Sequence, residues 1–393
     1  MKRIVYYLIT FILIIGLGII LWPETDQDEI SASISAAEAI SGDNHEGYLR
    51  VTEPRELTFP NDHGPHPGYR TEWWYYTGNL FTDKGRQFGY QFTIFRNQLS
   101  PPGNSDDIET DTSNWKTDQL YFAHFAIADV VNNEHRFEER YSRGALGLAG
   151  AEAAPYRIWL EDWKVVRTDT GESEDKNFPV HIKTEMEDGS AVDLDLRPAK
   201  PLVKHGDRGY DVKGPGEGNA SYYLSFTRMN TDGVIILDGK KFNVTGLSWM
   251  DHEWSTSVLD EDQIGWDWFS IQLSNGYDLM YYQLRNEDGS ASEFSSGTLV
   301  EPEGNKRNLT HEDVTLEVLD RWRSPHTGSV YPTQWSLHIP NEGLTLDMHT
   351  LFDDQEMTVS IVYYEGAISV SGSMEGAEIS GYGFVEMTGY KND

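Results

Sequence analysis

Cysteine is absent from this 393-residue chain. That excludes disulfides, thiolate metal sites, cysteine nucleophiles and a lipid-modified cysteine, and it leaves the redox compartment open. Positive charge is scarce as well: 31 lysines and arginines stand against 64 aspartates and glutamates, a formal net charge of -33. The acids are spread through stretches such as Glu24 to Glu29 and Asp106 to Asp111 without a long acidic block. Nucleic acid and anionic membrane surfaces are therefore not expected partners, because the phosphate term needs a basic patch. Three local signatures are missing too. GPGEG at Gly214 to Gly218 lacks the Lys and Ser of a phosphate loop. No GxSxG elbow surrounds Ser248 or Ser255. The HEW triplet lacks the i, i+4 histidine pair of a helical zinc site.

What is present begins with a charged start, Lys2 and Arg3, followed by an uncharged apolar run from Ile4 to Trp22 and then Pro23, Glu24 and Asp26. The run is close to the length that crosses a bilayer, and the positive flank would stay inside. Leu21, Trp22 and Pro23 make a poor cleavage site. Residues 1–23 are thus expected to be an uncleaved anchor rather than a signal segment, with 24–47 an acidic tether. The rest would be periplasmic or extracytoplasmic, tied to the inner membrane, or secreted if the segment is cleaved.

From Tyr48 onward, short apolar-polar alternations are broken by Gly, Pro, Asn and Asp, the pattern of an all-β chain. In the stretch TEWWYYTGNL, Glu72, Trp74 and Tyr76 would share one strand face, with Trp73 and Tyr75 on the other. A turn at Asp83 to Gly85 leads into Phe88, Tyr90, Phe92 and Ile94, which reads as a hairpin with one apolar face. Trp266 to Leu273, a turn at Ser274 to Gly276, and Leu279 to Arg285 repeat that plan, which suggests one β unit used twice. Further strands are expected at Tyr121 to Val131, Arg157 to Arg167, Val180 to Glu185, Ala191 to Leu196, Tyr222 to Thr227, Trp335 to Ile339, Leu344 to Met348 and Met357 to Tyr363.

Chemistry concentrates in GLSWMDHEW, Gly246 to Trp254, where Asp251, His252 and Glu253 lie between Trp249 and Trp254, and in GWDWF, Gly265 to Phe269, with Trp266 and Trp268. One reading is a tryptophan-packed core whose charges pair with one another. If the stretch is extended, Asp251 and Glu253 face one way and His252 and Trp254 the other. Adjacent acids and histidine on a strand cannot all ligate one ion without a bulge, so no metal is expected, and no cofactor. General acid chemistry beside aromatic faces suits these residues. A histidine bonded to a carboxylate can hold a proton near neutral pH, and indole faces stabilise a nearby cation. The same lining could instead simply bind a hydrophobic ligand.

TEWWYYTGNL from Thr71, GNASYY from Gly218, GLSWMDHEWSTS from Gly246, GWDWFSIQL from Gly265 and the final YYEGAISVSGSMEGAEISGYGFVEMTGY resemble the carotenoid 1,2-hydratase-like, or AttH-like, proteins over about residues 50 to 393. The resemblance implies two tandem lipocalin-like (calycin-like) β-barrel domains, here 48–245 and 246–393, with a cleft near their interface. It implies a hydratase- or hydrolase-like enzyme on a hydrophobic small molecule, with Asp251, His252 and Trp254 catalytic. Glu72, Trp73, Trp74, Tyr76, Trp249, Glu253, Trp266 and Trp268 would line the substrate site; Asp267, Tyr277 and Asp278 are further candidates by proximity. The alternative is a non-catalytic carrier associated with an ABC-type exporter.

Overall fold

The computed structural model describes residues 45–102, 116–169, 178–257, 259–260 and 262–390. Strands make up nearly all the regular structure among these residues, and two sheets result. The first sheet holds β1 (Thr71–Phe81), β2 (Gln87–Gln98), β3 (Gln119–Asp129), β4 (Glu134–Arg143), β5 (Ala149–Ala153), β6 (Tyr156–Leu160), β7 (Trp163–Arg167), β8 (Val180–Glu185), β9 (Ala191–Pro198), β10 (Val203–Lys204), β11 (Tyr210–Val212), β12 (Ala220–Leu237) and β13 (Lys240–Ser255). The second holds β14 (Gln263–Leu273), β15 (Asp278–Asn286), β16 (Ser296–Val300), β17 (Lys306–Thr310), β18 (Thr315–Arg323), β19 (Val330–Ile339), β20 (Leu344–Thr350), β21 (Glu356–Thr358), β22 (Val362–Met374) and β23 (Ala377–Met387).

The strand orders are β4-β3-β2-β1-β13-β12-β9-β8-β7-β6-β5 and β17-β16-β15-β14-β23-β22-β20-β19-β18. Each sheet curls so that its first strand pairs antiparallel with its last, β1 with β13 and β14 with β23. The two orders correspond strand for strand around that seam. Among the described strands the outer ends of each path do not pair with each other, so each sheet is a near-barrel. The chain passes between the sheets after Ser255, and the GLSWMDHEW stretch therefore closes the first sheet rather than opening the second.

The expected N-terminal membrane span is corrected. Among the described residues no helix is long and apolar enough to cross a membrane. Their helical pieces are 3-10 turns such as Asn61–His63 and Pro340–Glu342. Residues 1–23, and the tether as far as residue 44, lie outside the described residues. The fold is thus all-β and two-sheeted, and neither the inner-membrane tether nor the membrane-tethered location stands as part of it.

Inward side chains build two separate cores. Trp74, Tyr76, Phe92, Phe125, Trp163 and Phe226 sit in the first, and Phe269, Trp335, Leu337, Met348 and Tyr364 in the second. The outer faces around the two seams press on each other within the compact unit Ile34–Asp393. Gly89 permits the contact: a Cβ there would stand 2.7 Å from the Cβ of Ala367 on β22. Asn79 Nδ2 donates to the Gly383 carbonyl at 2.9 Å, and Gln272 Nε2 donates to the Thr227 and Ser248 carbonyls at 2.7 and 3.0 Å. Asp278, fully buried, accepts from Arg228 at 2.7 Å, Lys200 at 2.8 Å and Thr227 at 2.8 Å. These bonds satisfy polar groups that burial would otherwise penalise, and they fix one sheet against the other.

Candidate active site between the two sheets

Strand register places the site. Across β2, β1, β13 and β12 the outward-facing residues fall in two rows, Thr93, Tyr75, Asp251, Ser225 and Phe95, Trp73, Glu253, Tyr223. Across the second seam, Tyr282, Trp268, Glu386 and Glu365 form a facing row. The rows enclose a cavity lined also by Trp266, Leu284 and Lys213. Its free space is small, about 50 Å³ as swept by the centre of a water molecule. That holds a few waters, at roughly 10–15 Å³ each.

Three tryptophans and four carboxyls share this space with one ammonium. Burial pushes Asp251 up to about 7, against the bonds it accepts from Ser225, from Tyr223 Oη at 2.7 Å and from Trp249 Nε1 at 2.6 Å. Trp268 Nε1 donates in turn to Tyr223 Oη at 2.8 Å. Glu365 and Glu386 are direct cross-strand partners. Burial raises both, Glu386 to about 8 and Glu365 well above the carboxylate range, with their mutual repulsion adding to Glu365. Tyr75 Oη donates to Glu365 Oε2 at 2.8 Å, while Glu365 Oε1 is buried with no hydrogen-bond partner. Two like charges this close do not both ionise in a buried site, so the pair carries at least one proton at neutral pH. Glu253 is raised by burial but offset by Lys213, whose ammonium stands 2.8 Å from it and 3.4 Å from Asp211.

The opposite face of the same seam holds the other expected residues. His252 Nε2 meets Glu72 Oε1 at 2.8 Å, and His66 Nδ1 meets the same oxygen at 2.7 Å. Arg96 Nε donates to Glu72 Oε2 at 2.7 Å, and His66 Nε2 meets Asp62 at 2.9 Å. His66 stacks on Trp254 at 3.7 Å between centroids, and His252 on Trp74 at 4.9 Å. Although burial opposes it, Glu72 lies well below its usual range because of His66 and Arg96. Burial lowers His252. Wedged between two carboxylates, His66 is raised against its own burial.

The expected residues therefore part into two groups. Asp251, Glu253, Trp73, Trp266 and Trp268 meet at the cavity, with Trp249 behind Asp251. His252, Trp254, Glu72, Trp74 and Tyr76 lie inside the first near-barrel. Asp251 and His252 are neighbours in sequence whose side chains leave opposite faces of β13, so they do not form one proton-donating pair. Asp267 sits inside the second sheet, bonded to Arg285 at 3.1 Å and Tyr390 at 3.0 Å. Asp278 belongs to the clamp described above. Residue-level reading missed Glu365, Glu386, Lys213 and Tyr223. The first two did carry a signal: each is a lone acid in an otherwise apolar or small-residue strand, YYEGAIS and GFVEMT.

Among the described residues, His66, Glu72 and His252 are the one group with three ligand-type atoms within 4.8 Å of one another. Their contacts to the shared oxygen, 2.7 and 2.8 Å, are hydrogen-bond lengths, short of the roughly 3.3 Å that bonds of about 2 Å impose around a tetrahedral ion. Arg96 already neutralises Glu72. The group fits a hydrogen-bonded ion pair better than a metal centre.

A family model described as AttH-like matches residues 50–390. Kievitone hydratase of Fusarium solani subsp. phaseoli is 25% identical over 185 residues, 44% of this chain and 50% of that protein. The dehydratase asqC of Emericella nidulans is 22% identical over 198 residues, 48% of this chain and 55% of that protein. The chain thus spans about half the length of the curated relatives it matches. The crystal structure of a Nitrosomonas europaea protein described as AttH superposes with a TM-score of 0.75 at 32% identity, covering 88% of this chain and 100% of that one.

Proposed function

The chain belongs to the AttH-like family, and from that premise we propose that it adds water to, or removes water from, an apolar small molecule whose reacting end enters the inter-sheet cavity. The observation that carries the reading is the cross-strand pair Glu365 and Glu386, held partly neutral in an aromatic cavity that Asp251 also lines. Two relatives are named for water chemistry in opposite directions, which leaves the direction here open to either.

In the hydration sense, the Glu365 or Glu386 carboxyl gives its proton to one alkene carbon; the O–H bond breaks as the C–H bond forms. The resulting carbocation lies against Trp73, Trp266 and Trp268, whose faces stabilise it without offering a nucleophile. A water adds to the cation, and ionised Asp251 takes the proton that this water sheds. Dehydration runs the same steps backward. Because the free space is narrow, a slim substituent reacts there while the remainder of the molecule stays outside it.

The test is to replace Glu365 and Glu386 together by Gln, and in a second variant Asp251 by Asn, and to measure turnover and affinity for a ligand recovered from host extract. Loss of turnover by at least a hundredfold with Kd within a few fold is expected for both. A ligand bound unchanged by wild type would favour a carrier instead.

A further inference from the structure

Asp251 is sealed from solvent at the cavity wall, with 3% of its surface exposed. A group that takes a proton in each cycle needs a way to release it. One continuous line of hydrogen bonds leads away from it. Ser225 Oγ bonds Asp251 Oδ1, His205 Nε2 meets Ser225 Oγ at 2.7 Å, and His205 Nδ1 meets Thr298 Oγ1 at 2.8 Å. All members are buried: Ser225 and His205 expose nothing and Thr298 1%. The line crosses from the first sheet to the second, since Thr298 lies on β16.

The outer end is close to solvent. His205 is flanked by Lys204 and Gly206, which line an open cleft together with Lys306 and Asn308. Asn308 is the cross-strand partner of Thr298.

Proton counting fixes the direction of every bond. Ser225 has one hydrogen. While Asp251 is ionised, that hydrogen points at the carboxylate, so His205 must donate from Nε2 to the serine oxygen. Nδ1 is then bare and accepts from Thr298. When Asp251 is protonated, it can donate to Ser225, which turns its hydrogen to Nε2, and Nδ1 then donates to Thr298. Both arrangements satisfy every group, and they differ by one hop along each bond.

We propose that Ser225, His205 and Thr298 form a proton relay between Asp251 and the cleft beside Lys204 and Gly206. The relay rests on the reading of Asp251 as the group that takes the proton from water. In release, the Asp251 proton passes to Ser225, the serine proton to Nε2, the Nδ1 proton to Thr298 Oγ1, and the threonine proton to water in the cleft. No bond other than O–H and N–H changes and no co-reactant is required. His205 acts through its neutral ring: burial, with Lys306 and Lys213 nearby, disfavours the imidazolium. The charged and titratable groups around the line are Glu253, Lys213, Asp211, Glu365, Glu386, Tyr75, Tyr223 and Tyr282 at the cavity end and Lys204, Asp207, Arg208 and Lys306 at the cleft end. Tyr223 also packs its ring on His205, 4.2 Å between centroids.

The experiment is nitrogen NMR of the full chain labelled at histidine, with His205 assigned among the 12 histidines by His205→Gln. No ligand is added, so the outcome does not depend on turnover. The relay requires His205 to carry its hydrogen on Nε2 at high pH and on Nδ1 at low pH, exchanging at the midpoint of Asp251, about 7. In Asp251→Asn the ring should keep one tautomer at every pH. If wild-type His205 holds one tautomer from about pH 5 to 9, or becomes doubly protonated, the relay is wrong. Should Asp251→Asn not fold, the wild-type titration alone decides. A flat titration beside an inactive Asp251→Asn would remove the relay and leave the proposed reaction standing.

Discussion

Replacing Glu386 by Gln should make the protein more stable at pH 8 relative to wild type, and progressively less so as the pH falls to 5. Glu386 titrates at about 8 in the folded protein against 4.5 for an ordinary glutamate, chiefly because it is buried. The gap, 8 minus 4.5 or about 3.5 pH units, corresponds to about 5 kcal/mol at about 1.4 kcal/mol per unit. Its folded affinity for protons is raised, so its contribution is fully present below the unfolded value and is lost as pH rises through about 8. Glutamine cannot ionise and carries no such loss. Since Glu386 is partly open to the cavity, roughly half the figure, about 2 kcal/mol, is a fair lower bound. Relief of Glu365 acts in the same direction, because Glu386 is one of the groups raising it. The assay is urea denaturation of both proteins at pH 5, 6.5 and 8, plotting the difference in unfolding free energy. A difference that climbs by about 2–4 kcal/mol across the range is expected. A difference independent of pH would mean that Glu386 is ionised and hydrated in the folded protein, and the neutral-acid reasoning would fall.

Other consequences concern the inner face of the seam. Arg96→Ala leaves the Glu72 charge buried without its guanidinium and should cost about 3–5 kcal/mol in a denaturant titration. Glu72 and Glu139 are held low, Glu139 at about 2; the stability they contribute is present above the ordinary carboxylate range and lost as pH falls through their folded values. Acid unfolding followed by circular dichroism should accordingly begin at a higher pH in Glu72→Gln than in wild type. His252→Ala should lower the melting temperature yet leave ligand affinity per folded molecule within a few fold, because His252 faces Glu72 and Trp74 rather than the cavity; a selective loss of binding would place it at the site after all.

Strands with one buried and one differently buried face were legible from alternation. Both hairpins, β1 with β2 and β14 with β15, lie where the paired tryptophans and glycine turns put them. β4 was not visible, because EHRFEERYSR is half-buried along nearly its whole length and shows no period. Arg157 to Arg167 reads as one strand, but the chain turns at Glu161, whose φ is 57°, to make the β6–β7 hairpin. Met357 to Tyr363 alternates cleanly and yet breaks, since β21 folds back on β22. Alternation did separate Asp251 from His252. It could not say which face meets the cavity, because that depends on where the second sheet docks. Glu365 and Glu386 are drawn together only by the pairing of β22 with β23, in the last strands of the chain.

The most direct test is native mass spectrometry of the protein isolated from its own host, followed by incubation of any bound apolar molecule in water labelled with oxygen-18. Wild type should convert that molecule to a product differing by one water, with label gained in hydration, while the Glu365→Gln, Glu386→Gln double variant should bind it and leave it unchanged. A molecule held unaltered by both proteins, or converted equally well by the double variant, would contradict catalysis by the buried acid pair.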